Sequence, residues 1–135
     1  MILVDTCVLV DITGDHAAWR DWSLSQLALW STRGPLLINP IIFAEWCTDF
    51  ANFEQADAAR SKFRLQWREL PRPSLFVASQ AHRHYRRRGG TRSMVLPDFL
   101  IGAHAAVERL PLLTRDRRRF ETYFNGLEIV APDAN

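Results

Sequence analysis

The chain opens on an apolar run, residues 1–4, that shows no alternation of polar and apolar positions. Such a run is typical of a strand that is covered on both faces, as in a parallel sheet. Three further apolar runs predict strands at residues 36–38, 110–114 and 127–130. Helical patterns separate these strands, so we expect right-handed crossovers and a parallel sheet.

The helical patterns consist of apolar residues three and four positions apart, and the clearest of them covers residues 53–70. Asp15, Asn39 and Ser74 each precede such a pattern and are predicted to cap a helix N-terminus. Further helices are predicted at residues 6–13, from residue 97 onward and at residues 120–124. Together the elements predict an α/β fold, a three-layer α/β/α sandwich.

Length and composition favour one globular domain. The chain has 135 residues, 47% of them hydrophobic and 24% charged, which is enough to bury a single core, so we predict one domain over residues 1–135. No stretch approaches membrane-spanning length, and the apolar start is too short and too poor in basic residues for a signal peptide. We therefore expect a cytoplasmic protein without a membrane partner. Cys7 and Cys47 lack the spacing of a metal site and are expected to pack in the core.

The charge balance is close to neutral, with a formal net charge of +2 and a sequence pI of 8.8. This is slightly less basic than expected of a dedicated nucleic-acid domain. Lys62 is the only lysine among 17 basic residues, and arginine favours forked hydrogen bonding to phosphate. A GC-rich coding sequence would give the same bias, so both explanations stay open.

Four acids occupy positions that can converge. Asp5 and Asp116 directly follow predicted strands, while Glu45 and Asp98 lie near the starts of predicted helices. Ligands of open parallel sheets bind beyond the carboxyl ends of the strands, where these acids would meet. Clustered carboxylates repel one another unless a cation is bound, and ligands that are all oxygen suit Mg²⁺ or Mn²⁺ rather than zinc. A helix-capping aspartate is an equally good interpretation of Asp5 taken alone.

Several segments carry a family resemblance: residues 1–6, the helix with Glu45, residues 97–105 and residues 112–116. In order and spacing they resemble PIN-domain proteins and are most similar to VapC-type toxins of bacterial toxin-antitoxin pairs. The resemblance implies a PIN-like sheet of four or five parallel strands, a ribonuclease activity dependent on Mg²⁺ or Mn²⁺, and inhibition by an antitoxin protein.

The resemblance also assigns roles to residues of this chain. Asp5, Glu45, Asp98 and Asp116 match the catalytic, metal-binding acids of the family. Thr6 and Thr114 match positions where a small hydroxyl supports the site. The family leaves open whether the fourth acid binds metal directly or through water. The mechanism implied is metal-assisted hydrolysis of RNA by an endonuclease, and it needs no histidine as base. We interpret His104 as a packed residue rather than a ligand.

Two arginine groups are candidates for RNA contact, because arginine pairs with phosphates and stacks on unpaired bases. The first group lies before the Asp98 helix and the second surrounds Asp116. The first comprises Arg83, Arg86, Arg87, Arg88 and Arg92, and the second Arg115, Arg117, Arg118 and Arg119. We select Arg86, Arg87, Arg115, Arg117 and Arg118 as the RNA-binding residues. A solvated basic face is the alternative.

The helix predicted over residues 15–32 carries more aromatic surface than one core-facing stripe can hide. The apolar residues concerned are Trp19, Trp22, Leu27, Leu29 and Trp30. Large exposed aromatic patches usually mark interfaces. We expect an antitoxin segment to cover part of this helix and a symmetric homodimer to form elsewhere on the chain.

Other functions fit the sequence less well. A haloacid-dehalogenase-type phosphatase would carry a second aspartate where this chain has Cys7. A receiver domain would need a lysine after a late strand, whereas Lys62 lies in a predicted helix. A metal-dependent phosphohydrolase, or a non-catalytic RNA- or protein-binding module on the same scaffold, remains the alternative.

Overall fold

Five short strands form one sheet in which every neighbouring pair is parallel. The structure is a computed structural model, and it describes residues 1–15, 17–90 and 94–133. The strands are β1 (Ile2–Val4), β2 (Leu36–Ile38), β3 (Leu65–Trp67), β4 (Leu112–Leu113) and β5 (Ile129–Val130), in the spatial order β3-β2-β1-β4-β5. The predicted α/β sandwich with a parallel sheet is confirmed, and the described residues supply five strands.

Helices flank this sheet. They are α1 (Thr6–Thr13), α2 (Arg20–Ser31), α3 (Pro40–Cys47), α4 (Phe53–Lys62), α5 (Arg72–Arg87), α6 (Leu96–Glu108) and α7 (Arg117–Glu121), with a 3₁₀ turn at Ala17–Trp19. Among the residues with described structure, no helix is both long enough and apolar enough to span a membrane.

The core lies around the central strand β1, whose three residues are fully buried. Helix α6 approaches the segment after α7 so closely that a Cβ at Gly102 would lie 2.3 Å from a ring atom of Phe124. Glycine permits this approach because it has no side chain. Helix α6 therefore packs closely against the segment that follows α7.

One predicted element was wrong. The helix expected over residues 53–70 ends at Lys62, and β3 follows it. Arg64 adopts a left-handed conformation, with φ of 56°, which breaks the helix. Leu65 then pairs with Leu36 and is buried, whereas the rest of β3 is exposed at the sheet edge. A strand with a single buried residue leaves no alternation that a sequence pattern could reveal.

Two predicted caps were also wrong. Helix α2 begins after Trp19, which caps it without a side-chain bond, so Asp15 is not its N-cap. Helix α5 begins at Arg72, and Ser74 lies inside its first turn, where the hydroxyl donates to the Pro71 carbonyl. The third cap is confirmed, because Asn39 Oδ1 accepts from Ile42 N at 2.9 Å. The last predicted helix starts earlier than expected, since Asp116 caps α7.

Candidate active site

Asp5 lies directly after β1, at the carboxyl edge of the sheet, and it also caps α1. One carboxylate oxygen accepts from Thr6 N at 2.8 Å, and the other accepts from the Thr114 hydroxyl at 2.8 Å. Only 7% of the residue is exposed. Burial raises the pKa of Asp5, its hydrogen bonds lower it in part, and the charge of Asp98 raises it further. Asp5 is therefore both a helix cap and a buried acid that faces a second acid.

Two threonine hydroxyls connect the acids. Thr6 Oγ1 donates to Glu45 Oε1 at 2.7 Å, which ties the carboxylate on α3 to the N-terminus of α1. Thr114 Oγ1 donates to Asp5 and accepts from Asp116 N at 3.1 Å, so it links the ends of β1 and β4. Thr6 and Thr114 thus lie between acids, at the positions of supporting hydroxyls.

The other two acids, Asp98 and Asp116, both contact Arg119, which belongs to the second arginine group predicted to contact RNA. Asp98 Oδ1 accepts from Arg119 Nη1 at 3.1 Å, and its other oxygen accepts from Val95 N at 3.0 Å. Asp116 Oδ2 lies 3.3 Å from Arg119 Nε. Arg119 therefore forms ion pairs with two of the four predicted site acids. The spacing of three residues from Asp116 on a short helix was the only sequence signal for it.

The four acids lie in one region, but their carboxylates are not arranged around one shared metal position. Among the described residues, no three Asp, Glu, His or Cys side chains lie close enough to hold one metal ion. Nor does an ion pair of the described chain neutralise Asp5, although Arg119 attracts it at longer range. A buried, unneutralised carboxylate that repels Asp98 suits a cation, and oxygen donors suit Mg²⁺ or Mn²⁺. The donor chemistry of the site therefore fits a divalent ion.

Arg115, predicted to bind RNA, has a partner inside the protein. Its Nε donates to Asp11 Oδ2 at 2.7 Å, and its guanidinium lies over the ring of Trp19, 5.8 Å from the centroid. Asp11 is 3% exposed and also accepts from Ser23 Oγ at 2.7 Å. No sequence pattern indicates this buried network, because it joins residues that are distant along the chain. RNA contact by Arg115 stays a prediction.

The other predicted RNA-binding arginines are exposed. Arg117 is exposed and donates to the Ile129 carbonyl at 3.0 Å, and Arg118, the next residue, is also exposed. Arg86 and Arg87 stand in the last turn of α5. They line a groove together with Ser79, His82, Arg83 and Leu96. Arg92 lies outside the described residues.

His104 is a structural residue, as the sequence suggested. It is fully buried, and its ring nitrogens contact Asn39 Nδ2 at 2.9 Å and Glu108 Oε2 at 3.2 Å. Burial lowers its pKa, although Glu108 raises it in part, so the ring is neutral near pH 7. Arg68 also donates to Glu108, at 3.0 Å.

Cys7 lies beside the site. Burial raises the pKa of its thiol to about 12, so the thiol is protonated near pH 7 and unreactive.

The fold and the site define a known class. The family model of the PIN domain matches residues 2–125, and the chain therefore belongs to the PIN domain family. This confirms the family that the sequence resemblance had suggested.

Solved structures with the same fold come from toxin-antitoxin systems. The chain is similar to VapBC2 from Rickettsia felis bound to a DNA fragment from their promoter, with a TM-score of 0.75, 22% identity, and coverage of 98% of this chain and 100% of that chain. It is also similar to a toxin-antitoxin complex from Klebsiella pneumoniae, with a TM-score of 0.69, 23% identity and 98% coverage of both chains. VapC20 from Mycobacterium tuberculosis, a Sarcin-Ricin loop cleaving toxin, gives a TM-score of 0.64 at 16% identity, covering 98% of this chain and 100% of that chain. No curated protein sequence matches the chain significantly.

Proposed function

We propose that this protein is a metal-dependent endoribonuclease toxin that hydrolyses RNA in the cytoplasm and is inhibited by a cognate antitoxin. The observation that carries the proposal is the linked set of acids at the carboxyl edge of the sheet. Asp5 is buried there without an ion pair of its own among the described residues, and Thr6 and Thr114 join it to Glu45 and Asp116. Membership of the PIN domain family and the likeness to toxin structures support the same activity.

Asp5, Glu45, Asp98 and Asp116 are the proposed ligands of Mg²⁺ or Mn²⁺. Such an ion, when bound, polarises water and phosphate and offsets the charge that develops at the reacting phosphodiester. The protein contributes by positioning. Asp5 is fixed by the first turn of α1 and by the Thr114 hydroxyl, while the Thr6 hydroxyl orients Glu45. His104 does not serve as a base, because both its ring nitrogens are engaged inside the core.

Metal removal tests the activity. We expect the purified protein to cut a labelled RNA with an unpaired loop when Mg²⁺ or Mn²⁺ is present, and to leave 5′-phosphate ends. Excess EDTA should stop cleavage, and added Mn²⁺ should restore it, because carboxylates alone cannot activate the attacking water. Glu54→Gln, a change to an exposed acid on α4, is the matched control and should cleave like the wild type.

Full cleavage in EDTA would rule this mechanism out. Metal-dependent hydrolysis of a small phosphate ester without RNA cleavage would favour a phosphohydrolase. RNA binding without any turnover in either metal would favour a non-catalytic module.

The arginines beside Asp116 are proposed to hold the RNA backbone, together with Arg86 and Arg87. In Arg117→Glu/Arg118→Glu we expect RNA affinity to fall at least about tenfold, and the slope of log affinity against log salt to fall by about two, since two phosphate contacts are lost. Fluorescence anisotropy in EDTA over a salt series measures both. Arg33→Glu/Arg72→Glu carries the same charge change at other exposed positions. Equal losses in the two double variants would mean that net charge, rather than this patch, attracts RNA.

An antitoxin is the proposed partner of α2, and a second copy of the chain is the proposed partner elsewhere. Apolar surface stays accessible on the helix and on the turn before it, since Leu29 is 43% exposed and Trp19, which caps the helix, is 41% exposed. Trp22 and Trp30 are half-buried, and Leu27 packs in the core. Trp19 and Trp22 form an edge-to-face pair with centroids 6.2 Å apart. Aromatic surface of this kind contributes strongly to binding when a partner covers it.

A further inference from the structure

Arg119 lies where a cation would lie if the acids held one. Its guanidinium contacts Asp98 Oδ1 at 3.1 Å through Nη1 and Asp116 Oδ2 at 3.3 Å through Nε. Its backbone N–H also donates to Asp116 Oδ1, at 3.2 Å. The side chain is 37% exposed, so the ion pairs face solvent in part and can exchange.

The charges around Arg119 are those of the proposed metal site. Asp98 and Asp116 pair directly with the guanidinium of Arg119, and Asp5 attracts it at longer range. Three of the proposed ligands therefore act on this one guanidinium. The arrangement also accounts for the lack of a ready ligand set among the described acids, because Asp98 and Asp116 point at an arginine and not at a shared centre.

We propose that Arg119 is an internal counter-cation that competes with a divalent metal ion for Asp98 and Asp116. The inference rests on the proposed metal site. In the metal-free protein the guanidinium balances the two carboxylates and keeps the site closed to weakly bound ions. A divalent ion bound at Asp98 would displace the guanidinium, whose fork would then be free to pair with an RNA phosphate.

Arg119 could act as a competitor for the carboxylates or as a clamp that holds them in place, and the two roles predict opposite changes in metal affinity when Arg119 is removed. A clamp that only holds the acids in place would weaken metal binding when it is removed. A competitor would strengthen it, because the carboxylates lose their internal partner and their mutual repulsion favours a cation. The sign of the change in metal affinity therefore identifies the role of Arg119.

Calorimetric titration with Mn²⁺ alone tests this inference without any activity measurement. We expect Arg119→Gln to bind Mn²⁺ about tenfold more tightly than the wild type, because a unit positive charge has left a partly exposed site. Arg119→Lys keeps the charge and should bind within about threefold of the wild type. Arg33→Gln removes a charge from an exposed position before β2, at the opposite edge of the sheet, and serves as the matched control, with unchanged affinity.

Thermal unfolding gives a second readout. In EDTA, Arg119→Gln should unfold at a lower temperature than the wild type. At one saturating Mn²⁺ concentration the stabilisation should be larger in the variant, since it grows with the logarithm of the ratio of ligand concentration to Kd. RNA affinity should fall in the same variant. Tighter metal binding combined with weaker RNA binding is a result that a damaged fold would not produce.

The outcomes separate this inference from the proposed function. If the wild type binds Mn²⁺ and Arg119→Gln binds it no more tightly, competition is wrong and the metal site stands. Equally tight binding by Arg119→Lys and Arg119→Gln would also reject competition by charge. If neither the wild type nor Arg119→Gln binds Mn²⁺, the proposed metal site is rejected, and this inference with it.

Discussion

Asp5→Asn is expected to abolish RNA cleavage and, at the same time, to raise the unfolding temperature of the metal-free protein. Loss of a ligand should reduce cleavage by at least about 100-fold, since even the residues that support metal ligands contribute 10- to 100-fold. Stability should rise because Asn caps a helix as well as Asp does and carries no charge into the buried position. A gain of about 1 kcal/mol would raise the midpoint by about 4 °C in a chain of this size.

The stability difference between Asp5→Asn and the wild type depends on pH because the pKa of Asp5 is raised. A carboxyl whose pKa is raised by folding binds its proton more tightly in the folded state than in the unfolded state. Its stabilising contribution is complete below the ordinary value of 3.8 and is lost as the pH rises through the raised pKa. The difference in melting temperature between Asp5→Asn and the wild type, measured in EDTA, should therefore grow as the pH rises above 3.8 and level off once the pH has passed the raised pKa.

Asp98→Asn tests a second proposed metal ligand and is compared with Asp5→Asn. It should be equally inactive, but its metal-free form should be less stable than the wild type, because Asp98 pairs with Arg119. Undiminished cleavage by either variant would exclude the proposed ligands. A lower melting temperature for Asp5→Asn in EDTA would show that its hydrogen bonds outweigh the cost of burying its charge.

Arg115→Ala is expected to cause the largest loss of stability. The change leaves the carboxylate of Asp11 buried without its ion pair, which costs about 3 kcal/mol at the low end of the usual range, because Arg115 itself is 30% exposed. The midpoint of thermal unfolding should fall by about 10 °C. Differential scanning calorimetry of the metal-free protein measures the change.

Two comparisons support the interpretation of this result. Arg118→Ala, at an exposed position nearby, should shift the midpoint by about 2 °C or less. Adding Asp11→Asn to Arg115→Ala should restore part of the stability, because the amide keeps the contact with Ser23 and carries no charge. If Arg115→Ala unfolds like the wild type but binds RNA weakly, the arginine belongs to the RNA surface, as the sequence alone suggested.

The sequence was a good guide at the end of β1 and at the Asn39 cap, although the caps predicted at Asp15 and Ser74 were wrong. Asp5 follows a buried strand, and strand ends in a parallel sheet lie at one edge, so the acid had to face the crevice. Asn39 before Pro40 predicted the start of α3 because both the cap and the fixed proline φ act locally. The same two rules, for strand ends and for helix starts, predicted that the four acids would lie in one region.

The sequence was a poor guide wherever tertiary contacts choose between similar residues. Arg115, Arg118 and Arg119 stand in one arginine-rich segment, and only the fold determines which of them turns inward. The edge strand β3 was missed for a related reason. Its pairing partner lies about thirty residues away on β2, and its own residues continue the apolar spacing of α4.

The contacts of Asn39 give the core a directional hydrogen-bond relay. Its amide nitrogen donates to His104, the neutral ring can then donate to Glu108, and Arg68 donates to the same carboxylate from the end of β3. Asparagine and aspartate are comparable as helix caps, but the relay distinguishes them. An aspartate at this position would keep the cap on α3 but present an acceptor to Nδ1 of His104, so the buried ring would need a proton on that nitrogen as well as the one that faces Glu108.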